Sequence, residues 1–154
     1  MKYLGTMITV SDINKSRKFY EELFGLEAVQ DFGINVSFSC GISIQQNYEL
    51  ISNIPKEKIL KESNNMELYF EEKDFDGFIA KLKKCPNIKY MHDVMVQGWG
   101  QRTIRFYDPD GHIIGVGEDM GAVVRRFLGN GMSMEQVSER MGIPVIGLEM
   151  LLKS

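Results

Sequence analysis

Charged side chains inside β-strands demand partners, and two of them, Glu67 and Arg105, sit in runs that otherwise alternate apolar and polar. In Met66–Glu71 the apolar Leu68 and Phe70 take one face, which leaves Glu67 and Tyr69 on the other. In Gln101–Tyr107 the same argument gives Ile104 and Phe106 one face and Thr103 and Arg105 the opposite one. Two outcomes stand open. Glu67 and Arg105 can neutralise each other, or Arg105 can offer its planar fork to a carboxylate or phosphate. His92 alternates with Met91 and Asp93 in Ile88–Val96 and has the side chain suited to acid–base work at neutral pH, although a lone strand histidine is more often structural. Trp99, the only tryptophan, stands between Gly98 and Gly100, where an indole can stack on a planar ligand or plug the end of a cavity. No order of Ser, His and Asp supports a nucleophilic hydrolase.

These residues need a scaffold, and the clearest piece of it is Arg105–Glu118. Two alternating runs flank Asp108-Pro109-Asp110-Gly111, which specifies a hairpin: proline presets φ, Asp110 tolerates the bridge region and Gly111 supplies positive φ. His112, just past the turn, is expected to be exposed and structural. At the other end Lys2–Val10 reads as a strand, followed by a helix to Phe24 capped by Ser11 or Asp12 and ended by Gly25. Short strands are expected at Glu27–Phe32, Asn35–Ser39 and Ile42–Gln46, then a long connection with helix at Pro55–Glu62. The order then recurs: strand Met66–Glu71, helix Phe75–Lys84, strand Ile88–Val96, and the closing hairpin Gln101–Tyr107 with His112–Gly117. Strand, helix and several strands thus appear twice with little shared identity, which suggests two βαβββ units.

The 154 residues suffice for one ordinary core and make two independent domains cramped. With 44% hydrophobic and 25% charged residues the chain falls in the globular range. A net charge of -3 offers no general attraction to nucleic acid or anionic membrane. No apolar run approaches a membrane span, the N-terminus lacks a signal-peptide core, and Cys40 and Cys85 are expected as free thiols, so a cytoplasmic location is expected.

The opening Gly5-Thr6-Met7-Ile8-Thr9-Val10-Ser11-Asp12, continued by Phe19-Tyr20 and Phe24-Gly25-Leu26, together with the Asp108–Val116 hairpin, resembles the glyoxalase/bleomycin-resistance/dioxygenase superfamily, also called vicinal oxygen chelate proteins. Trp99-Gly100-Gln101-Arg102 is similar to a segment preceding the last hairpin in some members. The resemblance covers residues 1–118 and implies an α+β fold of paired βαβββ modules forming a U-shaped cup, frequently dimeric. It also implies a divalent metal held from four strands, which stabilises an enolate or peroxo intermediate. The four ligand positions fall on Gly5, Gln45, Glu67 and Gly115. Two carry no side chain, Gln45 is a weak amide donor, and only Glu67 is a competent ligand, so no metal or other cofactor is expected.

The resulting expectation is a small-molecule binder with a degenerate metal site, its ligand touched by Gln45, Glu67, Tyr69, His92, Trp99 and Arg105, with Met7 lining the surface. The alternative is a metal-dependent lyase, isomerase or dioxygenase of the same superfamily. Residues 119–154 form a separate C-terminal extension of three short helices, Asp119–Leu128, Ser133–Met141 and Pro144–Leu151, with a Ser133/Gln136 capping box. Its helix–turn–helix rhythm allows a ligand-sensing DNA-binding regulator, but Pro144–Leu151 is apolar with Glu149 its only charge and Arg125-Arg126 the one nearby basic pair. A packing or homodimer contact is the preferred reading over nucleic-acid binding.

Overall fold

The computed structural model describes all of Met1–Ser154. Its elements run β1 (Thr6–Val10), α1 (Ile13–Phe24), β2 (Ala28–Asp31), β3 (Asn35–Phe38), β4 (Ile42–Gln46), α2 (Glu49–Ser52), a 3-10 turn at Lys56–Lys58, β5 (Glu67–Glu72), α3 (Phe75–Leu82), β6 (Lys89–Val96), β7 (Arg102–Tyr107), β8 (Ile113–Glu118), α4 (Met120–Gly129), α5 (Met134–Met141) and α6 (Val145–Lys153). The strands form two four-stranded sheets with the same permutation, β1-β4-β3-β2 and β5-β8-β7-β6. In each, the first strand of a βαβββ module lies beside its last, so the fold is α+β with paired modules and C-terminal helices, as the repeat implied. Two compact units result: residues 1–66 with 107–113, and residues 67–106 with 114–154.

In the first unit β1 runs parallel to β4, from Thr6↔Ile42 to Val10↔Gln46, and β3 pairs antiparallel with both β2 and β4. Helix α1 is the crossover that a parallel pair requires. Asp12 caps it, accepting from the Lys15 amide at 3.0 Å, and Gly25 ends it in the left-handed conformation at φ 66°. Its buried stripe is Ile13, Ser16, Tyr20 and Leu23. Strand β1 starts four residues later than Lys2 because Gly5, at φ 154°, lies against Gly41, and a Cβ there would strike the Gly41 carbonyl. The helix expected over Pro55–Glu62 is absent. Only the turn at Lys56–Lys58 forms, and Asn53, Glu62 and Asn64 all adopt positive φ, which interrupts any helical run.

The Asp-Pro-Asp-Gly turn is a docking device as well as a turn. Asp110 accepts from the Ser11 amide (2.9 Å) and hydroxyl (2.6 Å) with one oxygen and from the Ser16 hydroxyl (3.0 Å) with the other. Asp108 accepts from Tyr20 Oη at 2.7 Å, from His112 Nδ1 at 2.9 Å and from the Asp110 and His112 amides at 2.9 and 2.8 Å. The turn is thereby tied to the start and middle of α1. Burial alone would raise the pKa of Asp108, but His112 and Tyr20 reverse that and hold it below the ordinary carboxylate range. His112 is structural as expected, yet it is not exposed: only 19% of its side chain reaches solvent, because Asp108 draws the ring inward.

In the second unit, α3 is capped by Asp74, which accepts from the Gly77 amide at 3.0 Å, and it buries Phe75, Phe78 and Leu82. Helices α4, α5 and α6 share a core of Val123, Val124, Phe127, Val137, Met141 and Leu148. Ser133 and Gln136 form the capping box at the start of α5. Helix α6 turns Leu148 inward but leaves Ile146 and Met150 more than two-thirds exposed, so its apolar residues are divided between bundle and solvent. No helix is long and apolar enough to cross a membrane.

Candidate functional site

Alternation along β5 buries Leu68 and turns Glu67, Tyr69 and Glu71 to the other face. The neighbouring strand β8 carries no side chain opposite them, because its residues on that face are Gly115 and Gly117. A Cβ on Gly115 would stand 2.8 Å from Glu67 Oε2 and 3.2 Å from the Tyr69 ring. A Cβ on Gly117 would collide with the Tyr69 hydroxyl and come within 2.7 Å of Gln101 Nε2. These glycines therefore open a slot through which side chains of β5 meet those of β7 across the strand between them.

Two contacts use the slot. Arg105 grips Glu67 with Nε at 2.7 Å and Nη2 at 3.2 Å, a bidentate pair whose side chains remain nearly one-third exposed. The Glu67 hydrogen bonds raise the arginine pKa further, so its charge is permanent. Gln101 Nε2, in turn, donates to the Tyr69 hydroxyl at 2.9 Å. The Tyr69 pKa is raised, chiefly by burial, against the lowering effects of Gln101 and Arg105. Its phenolic proton therefore stays in place at neutral pH, and its oxygen is held as an acceptor by Gln101. Arg105 Nη1 and the Tyr69 O–H are donors with no acceptor in the protein.

Gln101 is the hub that the sequence did not reveal. It is 3% exposed and joins three groups: Nε2 reaches Tyr69 and the Glu118 carbonyl (2.8 Å), while Oε1 accepts from the Trp99 indole at 3.1 Å. Trp99 remains 42% exposed on its loop. Behind it the Glu118 carboxylate, 4% exposed, is gripped by Arg102 and Arg126. Burial opposes its charge, but the hydrogen bonds from Arg126 and Arg102 bring its pKa below the usual range. The available signal was the Trp99-Gly100-Gln101-Arg102 segment, which pointed to the place but not to the amide's role.

Of the six residues expected at the site, Glu67, Tyr69, Trp99 and Arg105 are gathered on this face. His92 is not among them, and Gln45 stands in the other sheet. Gln45 belongs to the first unit, is 4% exposed, accepts from Asn35 Nδ2 at 2.9 Å and donates to the Gln46 carbonyl at 2.7 Å; both ends of its amide are engaged. His92 lies on the opposite face of its sheet, because Tyr90 of the same strand packs on Phe106 (ring centroids 6.4 Å) while Arg105 points the other way. His92 Nδ1 makes a short contact with the Asp93 carbonyl instead. Met7, expected to line the surface, is 48% exposed on β1.

The donor set does not fit the metal that the resemblance implied. Gly5 and Gly115 are each required by close neighbours, Gln45 is engaged with protein, and both Glu67 oxygens are held by Arg105. No group of three or more His, Cys, Asp or Glu is arranged to hold a metal ion. The slot also makes a prediction. Gly117→Val should eject the Tyr69 ring and expose its hydroxyl, seen as a fall in the Tyr69 pKa toward about 10 in spectrophotometric titration, with Tyr69→Phe identifying the signal. An unchanged titration would remove the slot from the account.

Comparison with known proteins agrees with this architecture. The family described as a glyoxalase-like domain matches residues 3–121. The crystal structure of a protein of unknown function from Agrobacterium tumefaciens shares 38% identity at a TM-score of 0.65, covering 77% of this chain and 94% of that one. A lactoylglutathione lyase from the same organism shares 22% identity at a TM-score of 0.58, over 76% of this chain and 92% of that one. A genomically encoded fosfomycin resistance protein from Listeria monocytogenes shares 21% at 0.56, over 74% and 89%. The chain belongs to the glyoxalase-like domain family.

Proposed function

We propose that the chain binds a small organic anion on the polar face of its second sheet, without the metal its superfamily often uses. The observation that supports this reading is the Glu67–Arg105 pair, bidentate yet part-exposed, with Arg105 Nη1 and the Tyr69 O–H both left without an acceptor in the protein. A ligand carboxylate or phosphate accepts from Nη1, Tyr69 donates to a second acceptor, and the exposed Trp99 ring covers an apolar or planar portion. Glu67 orients the guanidinium and moderates its charge. Residues 1–118 are taken as the ligand-holding domain and 119–154 as its extension. Because superfamily members frequently pair, a cytoplasmic homodimer is the assembly this reading adopts.

Trp99 provides the assay, since it is the only tryptophan. Benzoate, phenylphosphonate and the uncharged benzamide should be titrated against its fluorescence in the presence of EDTA. The reading expects saturable quenching by the two anions and at least tenfold weaker response to benzamide. Equal response to all three would leave Arg105 without a role and overturn it.

A further inference from the structure

All but the first two residues of α4, and all of α5 and α6, lie beyond the segment that matches the family, yet α4 touches the loop that carries Trp99. Arg126 Nη2 donates to the Gly100 carbonyl at 2.7 Å and to Glu118 Oε2 at 2.8 Å, and its Nε reaches Glu118 Oε1 at 3.1 Å. One guanidinium thus clamps the end of β8 and the loop together. Phe127, the next residue, lies so close to Gly100 that a Cβ there would overlap its ring. Gly100 is at φ 92°, a conformation glycine alone adopts readily, so the loop is shaped to receive that ring. Its two flanking hydrogen bonds, Gln97 N to Gln101 O and Gly100 N to Gln97 O, both at 2.8 Å, make a tight turn with little freedom once α4 is seated.

The consequences run directly into the site. Glu118, fixed by Arg126, presents its backbone carbonyl to Gln101, and Gln101 then sets both the Trp99 indole and the Tyr69 hydroxyl. We propose that α4 of the C-terminal extension is a positioning element for this surface, with Arg126 and Phe127 as positioning residues that fix the Trp99 loop and, through Gln101, the Tyr69 phenol. The extension is then part of how the ligand is held rather than a separate module. Its relevance to binding rests on the reading given above; its effect on geometry does not.

Acrylamide quenching of Trp99 in the absence of any ligand tests the geometry by itself. Arg126→Met should raise the quenching constant about twofold at a temperature well below unfolding. Arg126→Lys keeps a cation for Glu118 but not the fork that spans carboxylate and carbonyl, so it should give an intermediate increase and serves if the methionine variant fails to fold. Ser133→Ala loosens the start of α5 without touching the loop and should leave quenching unchanged. Unchanged quenching in both Arg126 variants, or an equal rise in Ser133→Ala, would overturn the proposal. Titration of the same proteins with benzoate separates the two readings: no binding by wild type, with quenching still altered by Arg126→Met, removes the ligand reading while the positioning role stands.

Discussion

Asp108→Ala is expected to destabilise the protein by about 3 kcal/mol, a fall in Tm of about 10 °C for a chain of this size. The side chain is fully buried, and alanine would leave Tyr20 Oη, the largely buried His112 ring and two backbone amides without their acceptor. Urea denaturation followed by circular dichroism measures the loss, and a change below about 1 kcal/mol would contradict the docking role assigned to the turn. The same carboxylate has a pH signature. A native pKa below the unfolded value contributes stability at pH above that value, and the contribution disappears as pH falls through the native pKa. Asp108 and Glu118 both have lowered values, so wild-type stability should decline as pH drops below about 4. Asp108→Asn should be less stable at neutral pH and flatter across that acid range. At the alkaline end burial raises the Tyr20 pKa well above 10.0, so stability should fall once unfolded tyrosines begin to ionise.

Arg105→Ala should weaken benzoate binding by about 2 kcal/mol, roughly thirtyfold, the scale of a lost charge-assisted hydrogen bond. Glu67→Gln makes the opposite prediction. Removing the carboxylate frees Nε and Nη2 from an anionic partner and leaves the guanidinium charge unbalanced, so benzoate should bind several-fold more tightly. A purely structural ion pair would behave differently. Both variants would then lose modest stability, and neither would change benzoate affinity, because part-exposed pairs contribute little beyond their own geometry. The two variants together thus separate the alternatives that the sequence left open, a self-satisfied pair and a ligand-reading arginine.

Much of this was legible because strands and turns carry their signals locally. Alternation in Met66–Glu71 and Gln101–Tyr107 put Glu67, Tyr69 and Arg105 on the correct faces, and Asp-Pro-Asp-Gly announced its hairpin. What the turn binds was not legible, since Ser11, Ser16 and Tyr20 lie about 90 to 100 positions away and nothing local links them to Asp108 or Asp110. The missing side chain at Gly115 speaks against a metal ligand, and Gly117 carries no signal at all, whereas the positive role of both is to let β5 and β7 touch. That role depends on strand order, which no window of sequence contains. Gln45 looked available because amides on strands often are, and only the neighbouring Asn35 shows it engaged. The Pro55–Glu62 helix failed for a backbone reason: residues there and beside it adopt positive φ, an outcome that side-chain periodicity does not report.

Isothermal titration calorimetry of benzoate into wild-type protein and Arg105→Ala, each with EDTA and then with added zinc or manganese, decides whether Arg105 holds an anion without metal. Wild type should bind saturably and indifferently to EDTA and to added metal, and Arg105→Ala should lose most of that affinity. Binding that appears only with metal, or that survives Arg105→Ala unchanged, would contradict it.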